Sequence, residues 1–120
     1  MTSDRPCLEV SNLTVHHGGL LALHDVSIEV PSGEIAGLIG PNGAGKTTFI
    51  DTLSGFTPAT SGRIQLDGEA IDQLAPHDRA RRGLVRTFQS LELFDDLTVR
   101  DNLLVAAEPP SRWSFLADLF

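Results

Sequence analysis

Cysteine is almost absent from the sequence, with Cys7 alone among 120 residues. An internal disulfide is therefore excluded, and the composition is typical of a protein from a reducing compartment. We interpret Cys7 as a small, half-buried apolar side chain, which is the usual place of an unpaired cysteine.

Long apolar runs are also missing. No stretch approaches the roughly 18 apolar residues that a transmembrane helix needs. The first residues, Met1–Pro6, contain no basic stretch followed by an apolar core, so they do not predict a signal peptide. We expect a cytoplasmic chain that is at most peripheral to a membrane.

Basic residues are few, since 9 lysines and arginines stand against 16 aspartates and glutamates and give a net charge of −7. A general nucleic-acid binder needs a basic footprint, so we expect no nucleic-acid partner. The histidines at positions 16, 17, 24 and 77 lack the spacing of a metal site. An anionic ligand would therefore be attracted by local groups rather than by the charge of the whole protein.

One segment carries a complete phosphate-binding motif, Gly-x-x-x-x-Gly-Lys-[Ser/Thr], known as the P-loop. Its residues are Gly40, Pro41, Asn42, Gly43, Ala44, Gly45, Lys46, Thr47 and Thr48. The glycines let the backbone turn through positive φ and approach an anion, with N–H groups pointing inward as a nest. In this motif the lysine reaches the β- and γ-phosphates and the threonine hydroxyl holds Mg²⁺. The segment predicts a nucleotide site.

The residues around the P-loop have the strand, loop and helix order that the motif requires. Glu34–Ile39 is a short apolar run that predicts a buried parallel strand. A helix is predicted from near Gly45, and Gly55 predicts its end. The predicted apolar face of this helix consists of Phe49, Ile50 and Leu53.

Alternation and turn residues predict the other elements. Leu8–Val15 and Val26–Val30 predict an antiparallel pair of strands, and Arg63–Ile71 predicts a hairpin that turns at Asp67-Gly68. The remaining predictions are a helix over Pro76–Arg82 ended by Gly83, a strand over Leu84–Phe88, a loop over Gln89–Asp96, and a helix opened by a capping box at Thr98–Asp101 that runs to about Ala107.

Four arginines cluster at positions 79, 81, 82 and 86. We interpret them as a solvated helix face that balances Asp72 and Asp78, because charged residues are mostly exposed. A contact surface for anionic lipid head groups or for a partner protein remains the alternative.

Several segments together resemble the start of an ATP-binding cassette (ABC) transporter ATPase. They are Leu8–Leu13, Ala22–Ser27, Pro31–Ile35, the P-loop, Thr60–Gly68 and Gly83–Gln89, the last of which is similar to the Q-loop of that family. Arg86–Gln89 and Leu93–Leu103 resemble most closely the cassettes of branched-chain amino acid importers. The resemblance covers nearly the whole chain up to Ala107.

The resemblance implies an α/β fold, the N-terminal portion of a P-loop NTPase of the ABC type. That portion combines an antiparallel β subdomain with an incomplete part of the parallel-sheet core. Residues 1–107 would form the N-terminal part of the ATPase domain, and residues 108–120 the start of its helical subdomain or a truncated tail. Nothing after Ala107 resembles the family's signature sequence, its Walker B aspartate, the catalytic glutamate or the switch histidine.

The resemblance also implies roles for individual residues. Gly40–Thr48 would bind the triphosphate of ATP, with Lys46 on the β- and γ-phosphates and Thr47 on Mg²⁺. Gln89 would reach Mg²⁺ and the attacking water, so Lys46 and Gln89 are the expected catalytic residues. The following loop, Leu91–Asp95, would dock against a helix of a membrane subunit.

His17 departs from the family pattern. Family members usually have an aromatic residue at this place, before the Gly-Gly pair, that stacks on adenine. An imidazole can stack, although with less area and with a titratable charge. His17 is therefore a candidate adenine contact, and an exposed turn residue remains equally open.

The function implied by the resemblance is an ATP-binding subunit of an importer, with ATP and Mg²⁺ as its cofactors. It would pair with a second ATP-binding subunit, identical or different, and with transmembrane permease subunits at the cytoplasmic face of the inner (plasma) membrane. Hydrolysis is expected of the full-length dimer and not of this chain alone, because a group that orients water is missing. A non-hydrolysing nucleotide-binding module and a cassette of another ABC system are the alternatives.

Overall fold

The computed structural model describes residues 6–88 and 93–107. The chain divides into two compact units, residues 1–86 and residues 87–120. Predictions for Gln89, for positions 91 and 92 of the following loop and for residues 108–120 lie outside the described residues.

The first unit is built on a four-stranded antiparallel sheet in the order β2-β1-β3-β4. Its strands are β1 (Leu8–His17), β2 (Leu20–Val30), β3 (Ser61–Leu66) and β4 (Glu69–Ala70). The predicted antiparallel pair is confirmed, and so is the hairpin. Asp67 and Gly68 have φ values of 50° and 83°, the left-handed conformation that a two-residue hairpin turn requires.

A bulge explains why the apolar residues of β1 alternate only loosely. The pairing with β2 shifts between Val10, which faces Ile28, and Leu13, which faces Val26. At the shift, Asn12 adopts a φ of 51° and its Nδ2 donates a 2.7 Å hydrogen bond to Asp25 Oδ1. The extra residue returns Leu13 to the face that holds Val10, so both are buried.

The core of this unit lies between one face of the sheet and the helix that follows the P-loop. That helix is α1, Lys46–Ser54, and it ends at Gly55 with a φ of 88°, as predicted. The buried apolar residues are Val10, Leu13, Val15, Leu23, Phe49, Leu53, Ile64, Leu66 and Ile71. Cys7 packs at the edge of this cluster, where burial and the nearby Asp67 carboxylate raise the pKa of its thiol.

The apolar face predicted for α1 is correct for Phe49 and Leu53 and wrong for Ile50, which is 38% exposed. Thr52 is buried instead, at 1% exposure. Its hydroxyl donates a 2.8 Å hydrogen bond to the Thr48 carbonyl one turn earlier. A threonine with its hydroxyl satisfied by the helix itself can be buried at little cost.

Two predicted strands are not formed. Glu34–Ile39 and Leu84–Phe88 both lack strand pairing, and Ile35 and Ile39 are 102% and 95% exposed. Within the described residues the sheet is purely antiparallel, so the predicted parallel strands have no neighbours to pair with. A parallel strand needs a neighbouring strand to pair with and a sheet whose two faces are both covered, and neither is local to the segment.

The helix predicted at Pro76 is α2, Pro76–Arg81, one residue shorter than expected. Arg79, which lies on this helix, is only 4% exposed. Both interpretations of the arginine cluster, a solvated helix face and a contact surface for lipid or a partner, are therefore wrong for this residue. The guanidinium donates to the Thr52 and Leu53 carbonyls at 2.7 and 2.8 Å, and to those of Leu74 and Asp72 at 2.9 and 3.0 Å. Two of these carbonyls belong to the last turn of α1, where few carbonyls have a donor inside the helix. The Thr52 carbonyl also accepts the Gly55 N–H at 3.2 Å.

Burying Arg79 disfavours the charged form of its side chain. Burial lowers the pKa of the guanidinium, and the Asp72 carboxylate partly offsets that shift. The neighbouring arginines are different, because Arg81 and Arg82 form exposed ion pairs with Asp78 and Glu69. The interpretation as a solvated face therefore holds for these two.

The second unit contains α3, Val99–Ala107, at the predicted place. The Thr98 Oγ1 accepts a 3.1 Å hydrogen bond from the Asp101 N–H, which confirms the N-cap bond of the predicted capping box. The Asp101 carboxylate accepts a 2.7 Å bond from the Thr98 hydroxyl. Asn102 fastens the preceding loop, since its side chain bonds the N–H and the carbonyl of Phe94 at 3.0 and 3.2 Å.

Gly62 in β3 offers a test of the sheet's close packing. Its φ is +104°, and a Cβ there would lie 2.6 Å from the Asn12 carbonyl oxygen and 2.7 Å from Leu13 Cα. We expect Gly62→Ala to lower the free energy of unfolding by about 1–2 kcal/mol for the φ value and about 1–3 kcal/mol more for the clash. Urea titration measures the sum.

Gly83→Ala is the matched control, because Gly83 has the same φ of +104° and a Cβ there meets nothing within 4 Å. Gly83→Ala should lower the free energy of unfolding only by the part due to the φ value, about 1–2 kcal/mol. Equal destabilisation by the two changes would show that the β1–β3 contact is looser than described.

Candidate functional site

The P-loop is shaped by left-handed glycines. Gly43 has a φ of 84° and Gly45, the residue that caps α1, has a φ of 97°. The Ala44 N–H donates a 3.1 Å hydrogen bond to the Pro41 carbonyl and closes the turn between them. The loop therefore curls over the N-terminus of α1, as the motif predicted.

Gly45 is also required by the fit of the loop against β2. A Cβ on Gly45 would lie 2.7 Å from Leu23 Cδ2 and 3.0 Å from the Ala22 carbonyl oxygen. Leu23 is a core residue, so it cannot move aside easily. The start of β2 thus fixes the position of the loop and of the helix behind it.

The loop supplies a set of hydrogen-bond donors suited to an anion. The first backbone bond of α1 joins the Phe49 N–H to the Gly45 carbonyl at 2.8 Å. The N–H groups of Lys46, Thr47 and Thr48 precede it, and such groups have no acceptor inside a helix. The first turn contains no acidic residue, so nothing there opposes the positive end of the helix dipole.

The Lys46 side chain folds back onto the first residues of the loop. Its ammonium donates to the carbonyl oxygens of Gly40 and, at 2.9 Å, Pro41. These are neutral acceptors within the loop, and an ammonium gains more from a charged acceptor. The lysine is therefore held beside the nest without a counter-ion in the loop itself.

A cleft of about 430 Å³ opens between the P-loop and the turn that joins β1 to β2. It is lined by His17, Leu20, Leu21, Ala22, Asn42, Gly43, Gly45, Lys46, Thr47 and Thr48. The structure thus brings the predicted residue His17 together with the loop. His17 is exposed, and its Nε2 lies 3.4 Å from the Thr48 hydroxyl.

Three of the remaining predicted residues lie beside this cleft. The Gly40 and Pro41 carbonyls accept hydrogen bonds from Lys46, which lines the cleft. Ala44 lines a smaller apolar pocket of about 170 Å³ that it shares with Gly45 and Lys46. Gln89, predicted to reach Mg²⁺, lies outside the described residues. The structure therefore brings most of the predicted P-loop residues and His17 together around one cleft.

The donors present fit a triphosphate better than they fit a bare metal ion. Lys46 and the backbone N–H groups attract an anion, while the Thr47 hydroxyl is an oxygen ligand of the kind that Mg²⁺ accepts. Within residues 6–88 and 93–107, no three His, Cys, Asp or Glu side chains are grouped to hold a metal. A magnesium ion here would be held by Thr47 together with phosphate oxygens and water.

Leu20, Leu21 and Ala22 were not identified from the sequence as site residues. Leu20 and Leu21 are 70% and 47% exposed although they open a strand. One feature of the sequence could have identified them: two adjacent leucines directly after Gly18-Gly19, in a strand that otherwise alternates apolar and polar residues near its end. Adjacent apolar residues on a half-buried strand cannot both face the core.

No helix within the described part of the chain is long and apolar enough to span a membrane.

Comparison with known proteins places this geometry in context. The sequence model of the family described as ABC transporter matches residues 23–119. The chain is 51% identical over 116 residues to the high-affinity branched-chain amino acid transport ATP-binding protein BraF of Pseudomonas aeruginosa, covering 97% of this chain and 46% of BraF. It is 48% identical over 102 residues to the corresponding LivG protein of Escherichia coli, covering 85% of this chain and 40% of LivG.

Solved structures give the same result. The chain superposes on MJ1267, an ATP-binding cassette of an ABC transporter, with a TM-score of 0.76 and 35% identity over 92% of this chain and 46% of that one. A bacterial Atm1-family ABC exporter with ATP bound matches with a TM-score of 0.58 and 29% identity, over 68% of this chain and 14% of the exporter. The chain thus spans less than half the length of these relatives.

Proposed function

Since the chain belongs to the ABC transporter family, we propose that it binds Mg-ATP as part of the ATP-binding subunit of an importer for branched-chain amino acids. The observation that carries this proposal is the cradle at the N-terminus of α1, where Lys46, Thr47 and Thr48, whose N–H groups have no acceptor inside the helix, line one cleft. The names of BraF and LivG support the choice of solute.

The triphosphate would lie in the P-loop, where Lys46 exchanges the carbonyls of Gly40 and Pro41 for the β- and γ-phosphates. Thr47 would hold Mg²⁺ through its hydroxyl. Bound ATP supplies a γ-phosphoryl group whose transfer to water releases the free energy for transport. The part of this chain is to position that group and to neutralise its charge.

The adenine would lie on the other wall of the cleft. His17 stands at the end of β1 next to the exposed Leu20 and Leu21, so an imidazole face and two apolar side chains are available to the base. We propose a stacking role for His17 on this basis. The role of Gln89 at Mg²⁺ and water rests on the family resemblance.

The remaining assignments follow from family membership. We propose that residues 1–107 belong to the ATPase domain, that residues 108–120 begin its helical subdomain, and that a second ATP-binding subunit and permease subunits are its partners. The protein would then be peripheral to the cytoplasmic face of the membrane, held there by those subunits.

A second candidate function, nucleotide binding without hydrolysis, is favoured by one observation. Among the described residues, those lining the cleft include no aspartate or glutamate that could orient a water molecule. The purified chain would then bind Mg-ATP and release no phosphate. Phosphate release that disappears in Lys46→Ala would exclude this candidate.

Uptake of radiolabelled leucine by the native host tests the importer proposal. We expect Lys46→Ala, made in the chromosomal gene, to abolish uptake, because the positive charge on the triphosphate is lost. Arg81→Ala is the matched control, since it removes one exposed cation from α2 and should leave uptake unchanged. Normal leucine uptake in the Lys46→Ala strain would refute the importer proposal and point to another ABC system.

A further inference from the structure

Arg86 and Asp51 form an ion pair inside the first unit that the nucleotide site does not account for. Arg86 Nη1 donates to Asp51 Oδ1, and the two side chains are only 23% and 28% exposed. A pair this sheltered is screened less by solvent than the surface pairs of Arg81 and Arg82, whose side chains are 52% and 44% exposed.

Neighbouring groups hold the pair in one geometry. The Arg86 guanidinium carbon lies 5.7 Å from the centre of the Phe56 ring, within the range of a cation–π contact. The Asp51 carbonyl accepts the N–H groups of Phe56 and Thr57 at 2.9 and 3.2 Å. The Asp51 carboxylate, the Phe56 ring and the end of α1 therefore hold one another and Arg86 in place.

The place of Asp51 on α1 connects this pair with the P-loop. Asp51 follows Thr47 by four residues, so the two side chains stand on the same side of the helix with Cβ atoms about 5–6 Å apart. Thr47 lines the nucleotide cleft. The Arg86 guanidinium is thus bound one helical turn beyond the residue proposed to hold Mg²⁺.

Leu84 packs against the core, but the backbone between Leu84 and Arg86 lies outside any helix or strand. Residues 84–86 form no strand, and Val85 is 76% exposed. The Leu84 N–H is bonded to the Arg79 carbonyl at 3.1 Å, and Arg86 is the last residue of the first unit. Together with the Leu84 hydrogen bond, the ion pair attaches the last residues of this unit, and it joins Arg86 to the helix that follows the P-loop.

We propose that Arg86 is a positioning residue that couples the state of the nucleotide site to the end of the first unit. The inference rests on the proposed binding of Mg-ATP at the P-loop. When ATP orders the N-terminus of α1, the helix holds Asp51 in place, and Asp51 holds Arg86. Without the pair, nucleotide still binds, but residues 84–86 no longer respond to it.

Hydrogen exchange with and without Mg-ATP tests this coupling on the whole chain. At an ATP concentration ten times Kd, amides whose opening requires loss of the nucleotide should exchange on the order of tenfold more slowly. In the wild type we expect this slowing in α1 and also in the peptide covering residues 84–86. In Asp51→Asn and Arg86→Ala we expect it in α1 alone, with a change of less than about twofold in 84–86.

The variants separate coupling from mere stability. Asp51→Asn keeps the shape of the side chain, and Arg86→Lys, which keeps the charge, should restore part of the slowing. Slowing of residues 84–86 that persists in both Asp51→Asn and Arg86→Ala would overturn the proposal. So would a wild type in which α1 is slowed and residues 84–86 are not. Absence of slowing in α1 itself would instead refute nucleotide binding, and the coupling with it.

Discussion

Lys46→Ala is expected to weaken the binding of Mg-ATP by about tenfold to a hundredfold, the worth of one or more charged hydrogen bonds. Lys46 is the only lysine of the chain, so no second ammonium can replace it. Breaking the hydrogen bonds between Lys46 and the loop carbonyls costs little free energy, because these acceptors are uncharged. Fluorescence titration with an ATP analogue that carries a reporter on the ribose measures the change.

The control separates a local charge from the charge of the whole protein. Arg81→Ala changes the net charge from −7 by the same single unit, but it acts on an exposed pair with Asp78. We expect less than a twofold change in affinity, because the charge of Arg81 is exposed to solvent and already paired with Asp78. Equal weakening by the two variants would mean that general electrostatics, and not the P-loop, attracts the nucleotide.

Arg79→Ala is expected to lower the free energy of unfolding by about 3–5 kcal/mol. The change removes the donors of four carbonyl bonds, and two of those carbonyls close α1. The Thr52 carbonyl keeps the Gly55 N–H as a donor at 3.2 Å, and each buried carbonyl that is left without a donor costs about 1–3 kcal/mol before the structure relaxes or admits water. Thermal and urea unfolding followed by circular dichroism measure the loss.

A second variant distinguishes packing from hydrogen bonding at this site. Arg79→Met fills much of the same volume without any donor, so it should be nearly as destabilising as the alanine variant. Arg81→Ala, on the same helix, should cost less than about 0.5 kcal/mol. A stable Arg79→Met protein would show that the carbonyls are satisfied by water and that the arginine is not a structural cap.

Local signals account for the elements that the sequence predicted correctly. The hairpin at Asp67-Gly68, the end of α1 at Gly55 and the capping box at Thr98 each depend on residues within a few positions of one another. The P-loop belongs to the same class, because its glycines and lysine act on a single turn of backbone. These features need no knowledge of the distant chain.

The errors concern residues whose place is decided by distant partners. Glu34–Ile39 has the composition of a parallel strand, but a strand exists only where another strand pairs with it. The burial of Arg79 depends on the carbonyls at the end of α1, which lie more than 25 positions earlier in the chain. Leu20 and Leu21 became site residues because the P-loop packs beside the start of β2.

Calorimetric titration of the folded wild-type chain with Mg-ATP is the most direct test of the central claim, that the turn before α1 holds a triphosphate. The account predicts a single saturable site, with heat that vanishes when EDTA removes magnesium and with an affinity about ten to a hundred times lower when Lys46 is replaced by alanine. Binding of neither Mg-ATP nor ADP by a chain whose circular dichroism shows it to be folded would contradict the claim.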